Sequence, residues 1–122
     1  MKLKRDTYLI GGAHTNYIGK FHPDFIWKKH PDFGKKQNPS LEEHLHRAAR
    51  GAREDAGIKA ADIDRGYVGN FAGELFASQG HLGAMLVRAD EGFAGKPFFR
   101  LEGACASGGL ALASGVDAIQ AG

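Results

Sequence analysis

The chain has 122 residues, a formal net charge of +2, and 43% hydrophobic and 25% charged residues. That is one domain at most, of ordinary soluble composition, with no polybasic face to suggest nucleic acid as a partner. Its one cysteine excludes an internal disulfide framework and fits a reducing compartment. Met1–Asp6 is followed by only a short apolar run, so no signal peptide is expected. No apolar stretch reaches the length of a membrane span, and the expected location is the cytosol.

Taken in chain order, Thr7-Tyr-Leu-Ile10 is an apolar run ending at Gly11-Gly12 and predicts a buried strand. Residues 20–39 turn aromatic, basic and proline-punctuated, with His-Pro-Asp-Phe at 22–25 and again at 30–33. They predict a loop excursion anchored by Phe21, Phe25, Trp27 and Phe33, its lysines solvated. Ser40-Leu-Glu-Glu43 is a capping box opening a helix. Its stripe is Leu41, Leu45, Ala48, Ala49, Ala52 and Ala56, and Gly57-Ile58 is a Schellman stop. Residues 67–71 predict a second strand, and 78–89 a helix with Leu82, Met85, Leu86 and Ala89 inward. Pro97 introduces a third strand at 98–101, and 104–121 predict a third helix.

That last helix carries few strongly polar residues after Ala106, chiefly Asp117 and Gln120, and is expected to be buried. The alternation of strands and helices implies an α/β class with a parallel sheet and right-handed crossovers. A helix buried on both sides requires a further layer, so the chain reads as the first part of something larger. The six histidines show no metal-ligand spacing. His44 and His46 are two apart, on different faces of their helix, and read as surface residues.

Cys105 stands where the third strand meets the third helix. Unpaired N–H groups and partial positive charge at a helix start favour the thiolate, the form that attacks carbonyls. Gly103, Ala106, Ser107, Gly108 and Gly109 are small and leave room for an acyl group. The Glu102 carboxylate opposes the thiolate by its charge, but strand alternation points it away. The bland alternative is a buried structural cysteine. Gly103-x-x-x-x-Gly108 lacks the Lys-Ser/Thr of a phosphate loop.

The segment Leu101-Glu-Gly-Ala-Cys-Ala-Ser-Gly-Gly-Leu-Ala-Leu-Ala113, continuing to Ile119-Gln-Ala-Gly122, resembles the nucleophile segment of thiolases. Ala13-His-Thr-Asn-Tyr-Ile-Gly-Lys-Phe21 is similar to the turn after their first strand. Gly69-Asn-Phe with Gln79-Gly80 is similar to the segment after the second. The wording Glu-Gly-Ala-Cys-Ala-Ser-Gly leans towards archaeal and sterol-carrier-type members.

The resemblance implies that residues 1–122 form the first β-α-β-α-β-α portion of the N-terminal half of a layered α-β-α-β-α fold. The C-terminal half, with the family's histidine and second cysteine, is absent from these residues. It also implies a covalent role for Cys105, whose backbone N–H would serve the oxyanion, and a substrate-binding role for Gly108 and Gly109, which would permit close packing around the nucleophile. The implied substrates are coenzyme A thioesters, with no permanent cofactor, no metal, no nucleic acid and no membrane. A homo-oligomer is implied, pairing along Phe98–Leu101, or a separate chain supplying the missing half. A decarboxylating ketosynthase and a non-catalytic subunit or assembly module are the rival readings.

Overall fold

The computed structural model describes residues 3–122, so Met1 and Lys2 of the terminal segment lie outside the described residues. The elements run α1 (Leu41–Ala56), β1 (Gly66–Gly69), α2 (Gly73–Ala77), α3 (Leu82–Val87), β2 (Phe98–Leu101) and α4 (Ser107–Ala121). Short 3-10 turns stand at Ala60–Asp62, Glu91–Phe93 and Ala104–Ala106. The class is α/β: β1 and β2 are parallel, with Gly66 opposite Phe98 and Gly69 opposite Leu101. Helices α3 and α4 both pack on the strands, and α1 packs on α3.

The helix signals around Ser40 act as read. The Ser40 hydroxyl accepts from the Glu43 N–H at 3.2 Å, and Glu43 Oε2 accepts from the Ser40 N–H at 2.7 Å. At the other end Gly57 takes the left-handed conformation (φ 66°), its N–H reaching the Arg53 and Glu54 carbonyls. Ile58 N–H closes back on the Arg53 carbonyl at 3.3 Å, completing the Schellman geometry. The core is small and sits between the strands and their connections. Leu82 is fully buried, with Val68, Phe93 and Ala60 nearly so. The Phe93 and Phe98 rings meet at 5.1 Å.

Four sequence expectations are corrected. Thr7–Ile10 is not a strand, and Tyr8, Leu9 and Ile10 are exposed. Its backbone neighbourhood is claimed elsewhere. Gln120 Oε1 accepts from the N–H groups of Lys4 and Arg5, Gln120 Nε2 donates to the Arg5 carbonyl, and Gly12 N–H donates to Asp55. These side chains hold the segment at the ends of α4 and α1, and a cleft of about 780 Å³ separates Thr7 and Tyr8 from Gly66 and Tyr67.

The helix expected over 78–89 is confined to α3, which begins only at Leu82 and ends at Val87. Residues 73–77, not expected to be helical, form the separate helix α2, which ends where Ser78 adopts φ 50°. Asn70 marks its start, its side-chain oxygen accepting from the Gly73 N–H at 2.6 Å. Within α3, Leu82 faces the core as expected, and Gly83 is needed because a Cβ there would stand 2.5 Å from the Phe98 carbonyl oxygen.

Helix α4 is not enclosed: Leu112 is 61% exposed, and Leu110 and Ile119 are also open. One side lies on the strands, and the described residues offer nothing to cover the rest. In the loop, Phe25 and Trp27 are half-buried, but Phe21 and Phe33 face solvent, Phe21 meeting Trp27 edge-on at 6.3 Å rather than entering a core. Asn38 does the holding there, accepting from the Ile26 N–H and donating to its carbonyl, both at 2.9 Å. No helix among the described residues is long and apolar enough to cross a membrane.

Candidate active site

Strand β2 ends at Leu101, whose carbonyl accepts from the Asn70 N–H at 3.0 Å and so carries the β1–β2 pairing to the edge of the cysteine turn. Cys105 does not open α4 directly. It occupies the middle of the 3-10 turn Ala104–Ala106, just before Ser107 begins the α-helix. Its side chain is free and exposed among the described residues.

The turn is built by Ser107. This side chain is 4% exposed, accepts from the Gly103 N–H at 3.0 Å and donates to the Ala104 carbonyl at 2.7 Å. Ala106 N–H closes on the Gly103 carbonyl at 2.9 Å. Held this way, Ala104 takes φ 47°, a left-handed conformation that a residue with a Cβ adopts at a cost of about 1–2 kcal/mol. The turn uses the N–H groups of Gly103, Ala104 and Ala106, and not that of Cys105.

Glu102 departs from its expected placement. Its Oε1 accepts from the Ala104 N–H at 2.7 Å, so the carboxylate folds back onto the cysteine turn. Alternation fails here because Glu102 lies one residue past the strand, where the backbone leaves the pleat. A Cβ on Gly108 or Gly109 would meet nothing within 4 Å among the described residues.

The glycine that matters is Gly69, at the end of β1. A Cβ there would stand 2.7 Å from the Gly108 nitrogen and closer still to the Ser107 carbonyl group. It lets the first turn of α4 sit directly against β1. Sequence reading placed Gly69 in the second strand and in a family-like segment, with no packing role; that role depends on a neighbour 38 residues away.

Arg100 was likewise missed. From β2 its guanidinium donates to the Glu74 carboxylate at 2.6 Å and to the carbonyls of Phe71, Gly80 and Asn70. A cation within an apolar strand was the available signal. It ties residues 70–80 to the strand that carries the cysteine turn.

The histidines go elsewhere. His46 Nε2 lies 2.7 Å from the Met85 carbonyl, His44 Nδ1 lies 3.2 Å from Thr15 Oγ1, and His14 Nδ1 lies 3.0 Å from the Thr15 carbonyl. His44 and His46 are therefore half-buried and engaged, not plain surface residues. Among the described residues, no group of three or more His, Cys, Asp or Glu could hold a metal ion.

No family model matches the chain. It is 45% identical over 83 residues to the acetyl-CoA acetyltransferase of Methanothermobacter thermautotrophicus, covering 68% of this chain and 21% of that protein. It is 48% identical over 65 residues to the acetyl-CoA acetyltransferase of Methanocaldococcus jannaschii, covering 53% of this chain and 16% of that protein. The chain thus spans about a fifth of the length of the curated relatives it matches. These matches bear out the resemblance to an N-terminal segment of the thiolases: the chain is similar to part of two archaeal proteins named acetyl-CoA acetyltransferase.

Proposed function

We propose that residues 1–122 are part of the N-terminal domain of a thiolase-type acyltransferase, with Cys105 as its nucleophile. The observation that carries this is the turn itself: an exposed thiol on a strained, serine-clamped junction, with a neighbouring backbone N–H not consumed by the turn. Strain and exposed reactive groups concentrate at working sites.

In this reading the Cys105 thiolate adds to the carbonyl carbon of an acyl-CoA. The Cys105 N–H donates to the oxyanion, and collapse expels coenzyme A as its thiolate, leaving an S-acyl cysteine. The α-carbon of a second acyl-CoA then takes the acyl group, forming a carbon–carbon bond and freeing the sulfur. Thiolytic cleavage is the same sequence reversed. The base that activates the thiol and the acid/base for the α-carbon belong outside these residues, on the rest of the polypeptide or on a partner chain. Small residues around the sulfur and the archaeal relatives support this over a non-catalytic module. A cytosolic setting and a homo-oligomer, joined along β2 where Phe99 is 45% exposed, complete the reading.

Native mass spectrometry with acetyl-CoA tests it. The expected result is one acetyl group per chain on Cys105, absent in Cys105→Ser, in a species heavier than one protomer. A protomer that never gains the acetyl group, even with its C-terminal half present, would refute the catalytic role.

A further inference from the structure

Away from the cysteine turn, a cavity of about 420 Å³ lies between the 13–18 turn, the 20–39 loop and the start of α1. Its polar lining includes His14, Thr15, Asp24, His44 and Arg47. From this arrangement we infer that the cavity binds the phosphate of a small phosphate ester through His14, His44 and Arg47.

Thr15 organises both rings. Its carbonyl lies 3.0 Å from His14 Nδ1, and its hydroxyl lies 3.2 Å from His44 Nδ1. The His14 ring is further held by stacking on Tyr17 at 5.9 Å. Each ring is therefore positioned through Nδ1, and Nε2 remains to meet a ligand. Arg47 follows His44 by three residues, placing it on the same helix face. The ion pairs among the described residues engage Arg53, Arg88 and Arg100 and not Arg47. A guanidinium in a polar cavity is a bidentate oxyanion donor.

Charge in the lining is set by Arg47 and Asp24, the latter with His22 beside it at 3.8 Å. Glu43, the other nearby carboxylate on α1, is committed to the Ser40 N–H. The Arg47 guanidinium draws an oxyanion in, and the Asp24 carboxylate works against it.

Sulfate is the suitable probe, because it is a tetrahedral dianion at neutral pH. Histidine side-chain NMR of the 122-residue chain, titrated with sulfate, should show saturable shifts at His14 and His44. Arg47→Gln should weaken binding about tenfold, and Asp24→Asn should tighten it severalfold. The second variant guards against loss by misfolding, since it predicts a gain. No saturable shift at the two rings, or no tightening in Asp24→Asn, would overturn the assignment.

Discussion

Replacing Ser107 by alanine tests how the cysteine turn is held. The hydroxyl satisfies two backbone groups, the Gly103 N–H at 3.0 Å and the Ala104 carbonyl at 2.7 Å. Leaving a buried polar group unpaired costs about 1–3 kcal/mol; Ala104 is exposed and Gly103 half-buried, so water recovers part and about 1 kcal/mol each is appropriate. Against this total of about 2 kcal/mol stands the left-handed strain at Ala104, whose release when the turn relaxes returns about 1 kcal/mol. Ser107→Ala should therefore cost a net of about 1 kcal/mol, read as a urea midpoint lowered by roughly 1 M for a slope near 1 kcal/mol per M. In an Ala104→Gly background the strain is already gone, and the same change should cost the full amount of about 2 kcal/mol. Alkylation of Cys105 by iodoacetamide should slow severalfold as the turn relaxes. An identical cost in both backgrounds, with unchanged alkylation, would refute the claim that Ser107 holds Ala104 under strain.

Gly69→Ala should destabilise by about 1–3 kcal/mol, because the new methyl meets the Ser107 and Gly108 backbone, which has no side-chain freedom to yield. Gly108→Ala, facing open space, serves as the control and should leave the denaturation midpoint essentially in place. The start of α1 should depend on acid. The Ser40 N–H, and then the Ser40 hydroxyl, hold the Glu43 carboxyl below the ordinary glutamate range, and Arg47 and His44 add to this. A folded-state value that is depressed stabilises above the unfolded pKa and is lost as pH falls through the folded value. Cα chemical shifts of residues 41–44 should therefore move towards coil as pH falls below about 4, the ordinary glutamate range. Glu43→Gln, which keeps a capping acceptor without the charge, should abolish that dependence; a transition that persists in it would exclude Glu43 as its source.

Local chemistry made much of this molecule legible from sequence. Ser40 with Glu43, and Gly57 with Ile58, mark the ends of α1 through hydrogen bonds that span three to five residues, so neighbours in the chain suffice to specify them. Phe98–Leu101 declared itself as a strand by its apolar run after Pro97, and Cys105 stood out as a lone thiol among small residues at a junction. What only the tertiary structure decided is where distant groups compete for the same backbone. Gln120 and Asp55 draw the N-terminal segment away from the sheet, so an apolar run that reads as a strand has no ladder to join. Asn70 opens a short helix that periodicity did not mark, and Ser78 in the left-handed region ends it, so that α3 starts only at Leu82. Gly69 rather than Gly108 admits the start of α4, because a glycine's value depends on which atom would meet its missing Cβ, and for Gly69 that atom lies on another element. Hydrogen bonds along the chain are written in adjacent residues; close approach between elements is written only in the fold.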